Sequence, residues 1–224
     1  MHVSRLRMAR PSWRDPLVRT GTIAAGTIVV AGVGAQLVDY GVYDLRIRAL
    51  DSNADGSLVE LLASAALIGA AVGAWLLALR RTGRAAEIAL AGALTLLALD
   101  RVLGLHEHVP HWRLTYLPIL GGTALGLVVV ARRDEGLSVT AMVGGLLLLG
   151  CSLFLHELGD WLAARLGAAP ASWPYQLKVG LKHGTEAAGW VVVCLALGHG
   201  VAARQRGEPA RRVPTRRARM QARG

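Results

Sequence analysis

Six long apolar stretches constrain the fold of this chain more than any other feature. Each has about the 20 residues that a helix needs to cross the hydrocarbon core of a bilayer. A segment of this length in lipid satisfies its own backbone hydrogen bonds as a helix. The sequence therefore predicts an all-α, polytopic membrane helix bundle with about six transmembrane helices. The stretches are residues 20–38, 58–79, 85–105, 114–131, 137–158 and 177–203.

Composition and the placement of charge favour a membrane protein over a nucleic-acid-binding one. Hydrophobic residues make up 53% of the chain, and the mean hydropathy is +0.41. The net charge of +10 could attract nucleic acid, but the basic residues lie at the termini and between apolar stretches, as in multipass proteins. We therefore expect the lipid bilayer as a partner, and no nucleic acid. The first stretch is longer than the apolar core of a signal peptide, which predicts a retained helix.

Arginine in the predicted loops gives an expected orientation. With a cytoplasmic N-terminus, the inner segments hold most of the 25 Lys and Arg residues, as the positive-inside rule requires. Six helices then leave both termini on the cytoplasmic side of a bacterial plasma membrane. The predicted parts are a basic N-terminal segment (1–19), a transmembrane domain (20–203) and a basic tail (204–224). The inner arginines are Arg5, Arg7, Arg10, Arg14, Arg19, Arg80, Arg81, Arg84, Arg132, Arg133, Arg204, Arg206, Arg211, Arg212, Arg216, Arg217, Arg219 and Arg223.

The basic tail contains Pro209 and Pro214 among its arginines, so we expect it to be disordered. Two roles for it are open. It could contact anionic lipids of the inner leaflet, or it could serve only to fix the topology. The residue types leave the oligomeric state open.

Two glycine pairs have the spacing that lets membrane helices pack closely. Gly69 with Gly73, and Gly122 with Gly126, both match GxxxG. A general abundance of small residues is an equally good explanation of the same pattern.

Acidic and histidine residues gather at the outer ends of three predicted helices. At 100° per residue, Asp100 and Glu107 would lie within about 20° of each other on the third helix. The residues on the fifth and sixth helices are also about one turn apart. Ionisable groups at membrane depth usually face a partner or a water-filled cavity, which makes this cluster the predicted site. The candidate catalytic residues are Asp100, Glu107, His156, Asp160, His183 and Glu186.

Imidazole and carboxylate groups together suit a divalent metal such as Zn, and also Fe or Mn. The predicted metal ligands are His156, Asp160, His183 and Glu186. The same groups suit general acid–base catalysis or a proton relay. Polar residues that simply close the helix ends are the alternative, with Lys182 and Glu186 as a local ion pair.

The first outer loop carries a separate signal. Residues 51–58 match the first eight positions of an EF-type calcium loop, but position twelve is Leu62 where Glu is required. Ser57 and Glu60 also form a capping box that would open the second helix. Calcium binding by residues 51–62 and helix capping both remain open.

Two resemblances follow from these residues. Asp100 followed by His106-Glu107 resembles a loosely defined group of uncharacterised bacterial multipass membrane proteins, which implies a fold and no activity. A fainter likeness is to intramembrane hydrolases related to alkaline ceramidases, which implies metal-dependent hydrolysis. The Ser, Asp and His residues of those hydrolases correspond here to Ser152, Asp100, His156 and His183.

Three functions stay open on this reading. The first is a metal-dependent intramembrane hydrolase, in which a metal-activated water attacks a lipid or small amphiphile. The second is a transporter or proton-coupled carrier that uses the same residues as a relay. The third is a structural subunit of a membrane complex. The inner halves of the helices are apolar apart from Glu87 and His199, which disfavours a continuous polar path.

Overall fold

The computed structural model describes residues 15–79, 85–108, 112–134, 137–166 and 172–206 of the 224-residue chain. These residues form six α-helices and one short 3-10 helix, with no strand among them. The predicted all-α fold is therefore confirmed. The helices are α1 (Pro16–Tyr43), α2 (Leu58–Leu79), α3 (Ala85–Leu103), α4 (Trp112–Arg133), α5 (Val139–Leu166) and α6 (Trp173–Gln205), and the 3-10 helix is Leu105–His108.

Five of these helices are long and apolar enough to cross a membrane: α1, α2, α4, α5 and α6. The 19-residue helix α3 differs because it holds Glu87, Asp100 and Arg101. Its remaining residues are mainly Ala and Leu, and it packs within the same bundle, against α2 and α4. The described part of the chain is thus a membrane-embedded helix bundle, and α3 belongs to it although three of its residues are charged.

The helix ends follow from local chemistry. Asp15 caps α1 by accepting the Leu17 N–H at 3.0 Å, and Pro16 occupies the first turn, where its missing N–H costs nothing. The other end of α1 stops at Asp44, which has a left-handed backbone (φ 51°). In α3, Gly104 adopts φ 62° and its N–H donates to the Asp100 carbonyl oxygen at 2.7 Å. This turn ends α3 two residues earlier than the predicted boundary at residue 105.

Helix α6 is the centre of the bundle, and glycine allows its close packing against α1. A Cβ on Gly180 would lie 3.0 Å from the Val33 Cα, and one on Gly184 would lie 3.2 Å from the Val29 Cα. Helices α2 and α5 also pack on α6, whereas α3 and α4 approach it far less closely. Long side chains bridge this wider separation.

The two predicted GxxxG pairs have different outcomes. Gly69 and Gly73 do face α6: added Cβ atoms would meet the Cys194 Sγ at 2.7 Å and the Leu197 Cβ at 3.1 Å. In the second pair, a Cβ added to Gly126 would lie 3.4 Å from the Leu90 Cδ1 of α3, whereas one added to Gly122 would meet no described atom within 4 Å. Only the first pair therefore forms a complete glycine-mediated helix contact.

Candidate functional site

The predicted polar cluster is built around an ion pair between α3 and α6. The Arg101 guanidinium donates through Nη1 to the Glu186 carboxylate and through Nε to the Ser64 Oγ of α2, the latter at 3.1 Å. The Arg101 and Glu186 side chains are 19% and 20% exposed, so the pair is largely withdrawn from the surroundings. Arg101 thus joins α2, α3 and α6 at one point of the bundle.

His183 lies one turn from Glu186 on α6. Its Nδ1 is 3.9 Å from the Glu186 Oε2, which is too long for a hydrogen bond but close enough for an electrostatic interaction. Its Nε2 is buried and has no hydrogen-bond partner among the described residues. A buried polar atom without a partner costs free energy, and such atoms concentrate at functional sites.

Positive charge surrounds the His183 imidazole. Lys182, Arg101 and Lys178 act on it electrostatically, as does His156 of α5. Lys182 makes no hydrogen bond and no ion pair within 4 Å with the described residues. His156 of α5 and His183 of α6 therefore lie within electrostatic reach of each other, and convergence of the whole polar stripes stays a prediction.

The local Lys182–Glu186 ion pair, the alternative reading of the sequence, does not form. The Glu186 carboxylate instead forms its ion pair with the Arg101 guanidinium of α3. Lys182 still lies within electrostatic reach of both Glu186 and Arg101. A guanidinium can offer two parallel donors to a carboxylate, which gives it an advantage over a single ammonium.

Asp100 is used differently from its neighbour Arg101. The Tyr116 hydroxyl of α4 donates to the Asp100 Oδ1 at 2.6 Å, and both side chains are buried. Because adjacent residues on a helix point about 100° apart, Asp100 faces α4 while Arg101 faces α2 and α6. The structure thus joins Asp100 to a tyrosine that the sequence analysis did not single out.

The shared stripe predicted for Asp100 and Glu107 is wrong. Since α3 ends at Leu103 and Gly104 turns the chain, Glu107 belongs to the 3-10 helix and not to α3. The Glu107 side chain lies outside the described residues. The same holds for the Asp160 side chain, although its backbone continues α5 one turn beyond His156.

The predicted metal site stays a prediction. Among the described residues, no group of three or more His, Cys, Asp and Glu side chains is placed to hold a metal ion. Two of the four predicted ligands, His183 and Glu186, are neighbours. Glu186 already binds a guanidinium, and the cations around His183 would oppose a metal ion.

The loop that carries the 51–62 motif lies at the same end of the bundle, and several of its oxygens accept hydrogen bonds from the loop itself. Asp51 Oδ1 accepts the Asn53 N–H at 3.0 Å, and the Asp55 carbonyl oxygen accepts from Arg48 at 2.6 Å. The Glu60 carboxylate accepts the Gly56 N–H. One oxygen that an EF-type loop would offer to calcium, the Asp51 Oδ1, is therefore engaged in holding the loop, and calcium binding stays a prediction.

Helix capping at the start of α2 is confirmed in part. The Ser57 Oγ accepts the Glu60 N–H at 3.3 Å, as in a capping box. The return hydrogen bond to the Glu60 carboxylate comes from Gly56, one residue before the usual position.

A buried polar contact between α1 and α6 was missed by the sequence analysis. Gln36 and Gln176 are both buried, and the Gln36 Nε2 donates to the Gln176 Oε1 at 2.6 Å. The Ser52 N–H donates to the Gln36 Oε1 at 2.5 Å. Gln36 alone interrupts the apolar stretch of α1, and this interruption was the available signal.

A second ion pair closes the opposite end of the bundle. Arg204 of α6 donates to the buried Asp134 carboxylate just after α4, and also to the Leu77 carbonyl oxygen at 3.4 Å. The sequence predicts that Arg204 belongs to the disordered tail (204–224), and this prediction is wrong for Arg204. It lies within α6, which runs to Gln205, and it is paired; residues 207–224 lie outside the described residues.

No curated protein and no solved structure matches this chain. The likenesses to alkaline-ceramidase-related hydrolases and to Asp…His-Glu proteins stay predictions. A family does match residues 21–199, a span that covers α2 to α5, almost all of α1 and most of α6. The chain belongs to the family described as a domain of unknown function (DUF8692).

Proposed function

We propose that this membrane protein binds the anionic head group of an amphiphile between α3, α5 and α6, with Lys182 and His183 as the binding groups. The observation that carries the proposal is the buried His183 Nε2, which has no hydrogen-bond partner among the described residues. Lys182 beside it has neither a hydrogen bond nor an ion pair there. Both groups offer N–H donors that a phosphate or carboxylate would satisfy.

The electrostatics of the cluster support an anionic ligand over a cationic one. Lys182, Arg101 and Lys178 all act on His183, and the nearby carboxylate of Glu186 is already bound by Arg101. Charge interactions are stronger where side chains are withdrawn from water. An anion at His183 would therefore be attracted, and would lower the cost of keeping Lys182 at this depth.

The 3.9 Å separation leaves the tautomer of His183 free. Because the Nδ1 makes no hydrogen bond to Glu186, the neutral ring can carry its proton on Nε2 and donate it to a ligand. The neutral ring can therefore serve as a donor to the ligand without giving up a hydrogen bond to Glu186.

Apolar surface beside the cluster supports an amphiphilic ligand. On α3, Val102 and Leu103 are 62% and 59% exposed, and on α5 Leu153 and Phe154 are 45% and 65% exposed. In a membrane such side chains contact acyl chains. A lipid could therefore place its head group at Lys182 and His183 while its chains stay in the bilayer.

The test uses the purified full chain and two probes. Retention of phosphatidylglycerol is counted by native mass spectrometry after exchange into neutral detergent, and inorganic phosphate is titrated by calorimetry. We expect Lys182→Gln and His183→Gln each to weaken binding about tenfold. His108→Gln is the matched control, because His108 is exposed and its one hydrogen bond to a described residue is with the Gly104 carbonyl oxygen of its own turn.

The two probes separate the possible sources of the anion. Binding of phosphatidylglycerol alone identifies a lipid head group, and binding of phosphate alone identifies a soluble anion. If neither probe binds, or if the control variant loses binding as the two site variants do, the proposal is wrong.

A metal-dependent intramembrane hydrolase is the second candidate. The observation in its favour is that His156 lies within electrostatic reach of His183, which pairs with Glu186. Asp160, one turn beyond His156, would complete the ligand set for a metal such as Zn. Metal analysis of purified protein tests this proposal: a metal content far below one ion per chain and unchanged by His156→Ala would contradict it.

A further inference from the structure

Three buried oxygen atoms near the 44–57 loop lack a hydrogen-bond partner among the described residues. They are the Asp39 Oδ2, the Ser52 Oγ and the Ser172 Oγ. Asp39 is 0% exposed and Ser52 is 2% exposed. Within the described part of the chain, the Asp39 carboxylate accepts one hydrogen bond, from the Ile47 N–H to Oδ1 at 3.0 Å. A buried carboxylate with so little compensation is costly unless a positive charge joins it.

The antiparallel register of α1 and α6 brings Asp39 and Ser172 to the same level. Gln36 and Gln176 are joined by their side chains at 2.6 Å. Asp39 lies one helical turn farther along α1, and Ser172 lies one turn before Gln176 at the start of α6. Both are therefore displaced in the same direction from the glutamine contact.

Two further contacts surround the layer of the bundle in which Asp39 and Ser172 lie. On its outer side, Tyr40 packs edge-to-face on Trp173, with ring centroids 4.7 Å apart. From the loop, the Ser52 N–H donates to the Gln36 Oε1 at 2.5 Å, so Ser52 closes over the same face of α1. A carboxylate oxygen and two hydroxyl oxygens, from three separate segments, are thus gathered in one buried layer.

We propose that Asp39, Ser52 and Ser172 bind a monovalent metal cation of the sodium type. Carboxylate and hydroxyl oxygens are ligands for hard cations. A single carboxylate balances a single positive charge, whereas a divalent ion would leave a net charge buried. The site uses none of the Asp51, Asp55 and Glu60 oxygens of the 51–62 loop motif, which hold the loop together, although Ser52 lies within that segment.

Thermal unfolding of the purified full chain tests this site. The measurement compares sodium chloride with choline chloride at equal ionic strength. Binding to the folded state alone raises the melting temperature, by about 5 °C at saturating sodium for a chain of this size. Asp39→Asn keeps an acceptor for the Ile47 N–H but removes the charge, so we expect it to abolish the sodium effect.

One control variant and two further variants of the site complete the test. Asp51→Asn changes another carboxylate of the same region and should leave the sodium effect intact. Ser52→Ala and Ser172→Ala should raise the half-saturating sodium concentration about tenfold while the protein still folds. The proposal is overturned if wild type responds equally to sodium and choline, or if Asp39→Asn or both serine variants keep the full response.

Discussion

Two adjacent residues of α3 show how much one helix position decides. The Asp100 carboxylate accepts a hydrogen bond from the Tyr116 hydroxyl of α4, whereas Arg101 donates to the Glu186 carboxylate of α6. The sequence marked Asp100 as a site residue because a carboxylate at membrane depth is costly. The same reasoning applies to Arg101, whose charge at that depth is also costly. The partners themselves could not be predicted, since they depend on which helices face each other.

Removing one member of the Arg101–Glu186 pair should destabilise the protein more than removing both. Arg101→Gln leaves the Glu186 carboxylate withdrawn from water without its cation, which should cost about 2 kcal/mol in the free energy of unfolding. The double variant with Glu186→Gln should recover part of this loss. Unfolding of the two single variants and the double variant in detergent measures the coupling, and strictly additive losses would contradict it.

The Tyr116 hydroxyl should contribute stability through its bond to Asp100. Tyr116→Phe removes a short hydrogen bond of 2.6 Å to a buried carboxylate, and we expect a loss of about 2 kcal/mol. Tyr43→Phe is the matched control, because Tyr43 is exposed at the end of α1. Equal melting temperatures for Tyr116→Phe and wild type would show that the bond contributes nothing.

At the scale of helices, apolar length predicted the elements well and their ends less well. The bounds of α2 match residues 58–79, but α1, α5 and α6 extend beyond their apolar stretches. The extension of α5 beyond residue 158, as far as Leu166, is also helical, since a helix can project past the hydrocarbon core. Hydropathy detects the part of a helix that lies in lipid and carries no information on the rest.

Helix contacts were harder to predict than helices. The spacing of Gly69 and Gly73 correctly indicated a close contact, but the close backbone approach of α6 to α1 uses Gly180 and Gly184, which have the same spacing and were overlooked. A Cβ added to Gly122 would meet no described atom within 4 Å. Spacing shows which face of a helix is small, whereas only the arrangement of the bundle decides whether another helix comes to that face.

Gly180→Ala should therefore weaken the packing of α6 on α1. The new Cβ would lie 3.0 Å from the Val33 Cα, a backbone atom that cannot move aside cheaply, so we expect a loss of about 1–3 kcal/mol. Gly198→Ala on the same helix is the control, since its Cβ would meet no atom within 4 Å. Denaturant unfolding compares the two, and a neutral Gly180→Ala would show that the helices separate easily.

At the scale of the whole molecule, α6 is held to its more distant neighbours at both ends. Arg101 joins it to α3 at one end, and Arg204 joins it to Asp134 after α4 at the other. Between them the core of α3, α4 and α6 is mainly apolar, with Leu94, Leu127 and Leu197 fully buried, although α3 and α4 also bury Glu87 and Thr123. Such a core leaves little room for the continuous polar path that a proton-coupled carrier would need.

The Arg204–Asp134 pair should fix the end of α4 against α6. Arg204→Gln leaves the buried Asp134 carboxylate without its cation, and we expect a loss of about 2 kcal/mol. Faster proteolysis after α4 should accompany it, because this end of the hairpin would be released. The control is Arg132→Gln, an exposed arginine of the same helix. Similar proteolysis of both variants would assign the pair no role in closing this end.

The orientation of the molecule is the prediction on which the direction of both proposed sites depends. Positive charge gathers at the end that carries Arg132 and Arg204, and the 44–57 loop lies at the opposite end. The positive-inside rule then places the loop outside and both termini in the cytoplasm.

Asp55→Cys, in the exposed loop, should react in intact cells with a membrane-impermeant maleimide, whereas Arg132→Cys should react only after lysis. Wild type measures the background, because Cys151 and Cys194 lie within helices. The reverse labelling pattern would turn the ligand site of Lys182 and His183 toward the cytoplasm, and would exclude an extracellular source for its anion.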